Sequence, residues 1–194
     1  MRVEFNVDEV VRRLQGLRVE GIPGAIRRAM TRSLKSGSVA MAREIASDAA
    51  LKVGTVKDQL RTEVVGGQGD TGLVGRISIS GKRIPLVQFS AKGPGGATAT
   101  QFVPSRGKGR GVTANTGGGR KVYPSTFMAV VGNGHIGVFQ RKAHGRLPIE
   151  EKFGPSLPHV FMKKTTTAIT RFQEQFPKEL QSEVSVAIKK AASS

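Results

Sequence analysis

The sequence predicts an α+β fold in one domain spanning residues 1–194. Apolar residues recur at helical spacing at both ends of the chain and alternate with period two in the middle, and an Asn-Gly step sits between two apolar runs. At 194 residues the chain is long enough to bury a single core without staples.

The opening stretch places Val7, Val10, Val11, Leu14 and Leu17 on one helical face, with Asn6 as N-cap and Glu9 three residues on as its capping-box partner. A break at Gly21 follows. Pro23 suits a first helical turn, and Ile26, Met30, Ser33, Gly37, Ala40, Met41 and Ile45 define a long helix reaching about Leu51. Ser33, Gly37 and Ala40 keep part of that face small, so another backbone can approach closely. They are candidates for packing on a sheet or on a neighbouring subunit. Thr55 is read as capping a short helical turn through Leu60.

The period then becomes two. Leu73, Gly75, Ile77 and Ile79 alternate with Val74, Arg76, Ser78 and Ser80, and Ile84, Leu86 and Phe89 extend the pattern into a second strand. Pro85 demotes that strand to an edge or bulge, because proline has no N–H for the ladder. In FMAVVGNGHIGVFQR, Asn133 and Gly134 predict a type I′ hairpin turn. Residues 92–122 combine glycine, small polar residues and cations with little apolar material, which predicts a flexible basic loop. At the C-terminus, Phe161, Thr165, Ala168, Ile169, Phe172 and Phe176 mark one helix stopped by Pro177, and Leu180, Val184, Ile188 and Ala191 mark another. The expected layout is N-terminal helices, an antiparallel meander with a long Gly-rich basic loop, and C-terminal helices.

The composition is strongly basic: 31 Lys and Arg against 14 Asp and Glu give a net charge of +17. The excess is not spread evenly. Between Thr71 and Ile149 there are 12 basic residues and not one carboxylate, so this stretch cannot neutralise itself locally and calls for an external anion. Arg106, Lys108, Arg110, Arg120 and Lys121, spaced by glycines, suit contact with phosphates or with an acidic protein surface, without base readout. There are no cysteines, which excludes disulfides and thiolate chemistry. No signal-peptide pattern or run of 18 apolar residues occurs, and a soluble cytoplasmic product without a membrane role is expected.

Catalytic and cofactor signals fail in context. Gly67, Gly69 and Gly72, and again Gly132, Gly134 and Gly137, fit G-x-G-x-x-G, but each match leads into a strand and not a helix N-terminus. Ser105 and Lys108 stand at S-x-x-K spacing with no second motif. His135, His144 and His159 are too scattered for a metal site, and the adjacent Glu150 and Glu151 cannot face each other as an acid–base pair. They read as interface or capping charges. No catalytic residue, metal or cofactor is expected.

Three segments carry a family likeness: KRIPLVQFSAK, GVTANTGGGRKVYPSTFMAVVGNGHIGVFQRK and LPIEEKFGPSLPHVF. In order and spacing the chain resembles the minor tail protein Z family of long-tailed phages and prophages over roughly residues 80–162. The long basic helix before them and the Phe176-Pro177-Lys178-Glu179-Leu180 segment extend the likeness to most of the chain. The stretch Glu150 to Phe161 is also similar to tail-completion and head–tail joining proteins. The resemblance implies a non-enzymatic structural protein of the virion, made in the host bacterial cytoplasm. It would complete the head-proximal end of the tail and join it to the head around the passing double-stranded DNA. It further implies a ring, usually six-fold, with tail-terminator or tail-tube and head-neck proteins as partners. Interface candidates are Ser33, Gly37, Ala40, Glu150, Glu151 and Phe153. The alternative, from charge alone, is a free cytoplasmic protein that binds nucleic acid irrespective of sequence.

Overall fold

The computed structural model describes residues 1–7, 21–66, 72–93, 111–132, 134–142, 145 and 147–192. Helices flank an antiparallel sheet region, as the α+β reading requires. By contacts the chain divides into two compact units, residues 1–44, 57–80 and 161–194 in the first and 45–56 and 81–160 in the second.

In the first unit a three-stranded antiparallel sheet has the order β1 (Arg2–Asn6), β3 (Val74–Ile79), β2 (Leu60–Val65). Gly75, Ile77 and Ile79 of the central strand alternate inward, in the period-two pattern read from the sequence. The long helix α1 (Ile22–Ala49) crosses this face, with Leu34 and Met30 packed over Gly75. Its long partner α4 (Thr165–Ala192) runs antiparallel to it, since Arg28 meets Glu183 near one end and Glu44 meets Thr167 near the other. Phe5 of β1 packs at a tilt of 34° on Phe172 of α4 with centroids 4.5 Å apart. Helices on one face of a sheet make a two-layer sandwich whose apolar seam is closed by aromatic and aliphatic side chains.

Helix α1 begins where expected, with Pro23 in its first turn. It ends in a paired cap: Leu51 N–H reaches Ala46 O at 2.9 Å, and Ala50, at φ +53°, turns the chain. This is a Schellman arrangement with alanine where glycine is usual.

In the second unit, β6 (Thr126–Val131), β7 (His135–Arg141) and β8 (Ile149–Glu151) form a meander, and β4 (Val112–Asn115) pairs with β5 (Arg120–Tyr123). Short helix α2 (Val53–Lys57) and the start of α3 (Pro158–Lys163) complete it. Its core gathers Ile84, Leu86, Phe89, Val112, Val138 and Leu157, all at most 2% exposed. The buried Thr126 hydroxyl donates to Tyr123 O and accepts from Val112 N–H, tying β6 to the β4–β5 hairpin.

Several sequence expectations are corrected. Ile84 to Phe89 is not a strand: Pro85 makes one isolated bridge to Phe153, and Leu86–Gln88 form a 3₁₀ turn. All three apolar side chains still reach the core, because a tight turn buries neighbouring residues that a strand would send to opposite faces. Pro177 does not stop a helix, since α4 is continuous through it. Phe172 and Phe176 before the proline and Glu183 and Ala187 after it are all buried, so packing on both sides offsets the one missing backbone bond.

Thr55 lies inside α2, not at its cap, and Leu60 opens β2, not the end of a helix. Of the expected loop 92–122, residues 94–110 lie outside the described residues, and 112–123 form the β4–β5 hairpin with its turn at 116–119. Val112 and Ala114 are fully buried there, and Lys92 exchanges both backbone hydrogen bonds with Thr113 at 2.8 Å. The β6–β7 hairpin stands, but Val131 pairs with His135, leaving three residues in the turn where two were expected. Gly134, at φ +79°, donates to Val131 O and supplies the left-handed residue that closes such a loop. Asn133 and all but the first two residues of the expected N-terminal helix lie outside the described residues, and Asn6 itself ends β1.

Candidate partner-binding surfaces

Three of the five predicted contact residues, Arg106, Lys108 and Arg110, lie outside the described residues. The other two are neighbours on β5, an edge strand whose first three residues are exposed. Arg120 is held in place: its guanidinium donates to Ser90 O at 3.2 Å and to the Thr113 hydroxyl at 3.2 Å. These are neutral acceptors, so its charge is positioned but not cancelled. Lys121 stands opposite Ala114 in the register.

The carboxylate-free centre of the sequence is only partly free of carboxylates once folded. Arg76 lies between Glu4 and Glu63, its cross-strand partners in the sheet register, at 3.0 and 3.7 Å. Lys142 is 3.8 Å from Glu150. Arg141 lies over the Phe127 ring, 5.2 Å from its centroid, a cation–π contact. Among the described residues, no carboxylate comes within ion-pair distance of Arg83, Lys92, Arg120, Lys121 or Arg141. All five belong to the second unit.

The interface candidates fall into three groups. Ser33 is fully buried, with its hydroxyl turned back to Ala29 O at 2.8 Å. A side chain at Gly37 would stand 3.0 Å from Ala168 O, so the close approach this glycine permits is to α4 of the same chain. Ala40 stays half-exposed. Glu150 is exposed, Glu151 is 2.8 Å from His135 Nε2, and Phe153 keeps 45% of its surface in solvent despite its bridge to Pro85. The adjacent Gly154 is fixed by packing, because a Cβ there would lie 2.2 Å from the buried Phe89 ring.

A second basic feature lies in the first unit. Between α1 and α4 runs a cleft of about 400 Å³ lined by Arg32, Lys35, Val39, Ala40, Arg43 and Arg171 among others. Arg32 is neutralised by Glu183 at 2.5 Å, and Arg171 by Glu174 at 3.1 Å. Lys35 and Arg43 have no carboxylate within ion-pair distance among the described residues. The charge tally conceals this feature, since Met1 to Asp70 sums to only +3, from 12 basic and 9 acidic residues. Its one sequence signal is the spacing of positions 32, 35, 39 and 43 on a single helical face.

Below the cleft, Glu183 is nearly buried and accepts from Arg28 Nε at 2.6 Å. That hydrogen bond holds its carboxyl below the ordinary carboxylate range; burial pushes the other way, and the charges of Arg32 and Arg28 add to the lowering. Among the described residues no group of three or more His, Cys, Asp or Glu is placed to hold a metal ion, and no helix is long and apolar enough to cross a membrane.

Among curated proteins and among solved structures, no match to this chain is found. The family described as prophage minor tail protein Z (GPZ) matches residues 6–192, a span that takes in both units, the basic β4–β5 hairpin and both long helices. The chain therefore belongs to the prophage minor tail protein Z family.

Proposed function

We propose that this tail protein completes the head-proximal end of the phage tail and joins it to the head, as one subunit of a ring around the DNA channel. Family membership supports a structural role in the tail. The observation that carries the finer reading is the set of cations in the second unit, Arg83, Lys92, Arg120, Lys121 and Arg141, that no carboxylate of the chain neutralises among the described residues. Such a surface seeks phosphate or an acidic neighbour, and glycine-spaced cations such as Arg106, Lys108 and Arg110 extend the same chemistry along the chain. A closed ring needs one heterologous interface repeated, for which Glu150 and Phe153 offer an exposed charge and an exposed aromatic ring, with Glu151 half-buried beside them against His135. The role is structural and needs no bond-making chemistry.

Electron cryomicroscopy of intact virions tests the reading. Density for this chain at the neck is expected, and particles assembled without the gene should fail to join heads or to infect. Density elsewhere on the tail, or normal infectious particles without the gene, would overturn it. Titration with duplex DNA is the second arm. Weak binding is expected of a subunit that only lines a path for moving DNA. Tight binding by the free monomer, falling several decades as salt rises, would support a sequence-independent nucleic-acid-binding protein instead.

A further inference from the structure

The cleft between α1 and α4 is chemically unlike the basic hairpin of the second unit. Its apolar part is formed by the half-exposed Val39 and Ala40, with Lys35 and Arg43 on either side of them along α1; the cleft also holds Arg171 and one carboxylate, Glu179, on α4, and Glu179 is 3.4 Å from Arg32. We propose that this cleft is a docking groove for an acidic amphipathic helix supplied by a partner protein.

The geometry sets the pattern of the occupant. Lys35 and Arg43 are eight residues apart on α1, which at helical rise is about 12 Å, with Val39 midway. A helix laid along the groove meets both cations with carboxylates at i and i+7 or i+8, and covers Val39 and Ala40 with apolar residues at i+3 and i+4. Arg32 and Arg171 already have acidic partners in the chain. The attraction left over for a ligand therefore rests on Lys35 and Arg43, with Ser36 as a hydroxyl between them. Phosphate would satisfy the two cations but would leave the apolar floor wet. A recess of about 400 Å³ admits side chains, not a duplex. Charge and floor together favour protein over nucleic acid.

The experiment uses the full chain and a fluorescein-labelled helical peptide of about 18 residues, long enough to hold helix. It carries Glu at i, i+7 and i+8 and Leu at i+3 and i+4. A peptide of equal composition, with the Glu scattered round the helix, is the control. The patterned peptide is expected to bind about tenfold more tightly than the control, and Lys35→Glu with Arg43→Glu to weaken it by about tenfold or more. Ala40→Leu keeps every charge and fills the floor, and should weaken binding by a similar factor. Both sites are exposed or half-exposed, and an unchanged unfolding midpoint verifies the fold of each variant. Equal binding of the two peptides overturns the proposal. So does Ala40→Leu without effect, because the cations would then act only as bulk charge. Displacement of the peptide by duplex DNA at equal phosphate and carboxylate concentration would make phosphate the occupant and would also overturn it.

Discussion

Gly37→Ala tests how tightly the two long helices meet. Alone, the substitution favours α1, because alanine exceeds glycine in a helix interior by about 0.8–1 kcal/mol. Against that stands the contact with α4: the new Cβ would lie 3.0 Å from Ala168 O and 3.7 Å from Ala168 C. Normal carbon–oxygen contact is several tenths of an ångström longer, and the obstacle is main chain, so no rotamer change relieves it. The helices must part locally, which loosens the neighbouring buried contacts of Leu34, Met41 and Phe172. Overpacking of this kind costs about 1–3 kcal/mol. The two terms leave a net loss of roughly 1 kcal/mol for alanine, and about 3 kcal/mol for valine, which adds two methyl groups to the same gap. Urea unfolding of the isolated protein, followed by far-UV circular dichroism at several protein concentrations, measures the difference. Ala168→Gly should not rescue the variant, since the clash is with a carbonyl. A Gly37→Ala protein more stable by the full propensity gain would refute the close approach. A penalty present only at high protein concentration would mean that the small face meets another subunit.

Three more outcomes follow from named contacts. Gly154→Ala should destabilise the second unit by about 3 kcal/mol, because the Phe89 ring that blocks the Cβ is itself fully buried; a midpoint within experimental error of the parent would refute the packing. Ala50→Gly should stabilise by about 1 kcal/mol, since the cap holds alanine at φ +53° where glycine is unstrained; a loss of stability in thermal unfolding would count against the cap geometry. Glu183 titrates lower when folded than when unfolded, so its contribution is present above the unfolded carboxylate pKa near 4.3 and is lost as pH falls through the folded value. Glu183→Gln should therefore flatten the acid side of the stability–pH curve measured from pH 7 to 3. A slope unchanged from the parent would contradict the Arg28 and Arg32 pairing.

Elements whose own residues carry their burial were legible in the sequence, and those that depend on distant partners were not. Strand β3 and the β6–β7 hairpin announce themselves by alternation, and α1 by its long apolar face with Pro23 at the start. Strands β1 and β2 are sheet edges, and β2 exposes four of its six residues, so neither bears a strong apolar period. Their pairing to β3 spans 9 to 19 residues for β2 and 68 to 76 for β1, which a local window does not register. The β4–β5 hairpin is masked by its glycines, although two residues, Val112 and Ala114, suffice to bury it. At Pro177 local propensity argued for a stop, and the buried residues on either side prevailed. The cleft illustrates the same limit: Lys35 and Arg43 look like ordinary exposed cations until α4 lies beside them.

The folded distribution of charge follows from where the carboxylates go. Glu4 and Glu63 are drawn to Arg76 by strand register, Glu179 and Glu183 to Arg28 and Arg32 by the antiparallel helices, and Glu44 to Lys164 and Thr167. The exposed members of this set add only about 0–1 kcal/mol each to stability. Their larger consequence is electrostatic. Within the first unit these carboxylates are taken up by other cations, two of them by Arg76 from the acid-free stretch, and among the described residues none comes within ion-pair distance of Lys35 or Arg43. Among the described residues a chain of +17 thus presents cations without a carboxylate partner in each unit, one set including the exposed pair on β5 and one beside apolar side chains, and only the second offers the apolar contact by which a protein helix differs from a phosphate backbone.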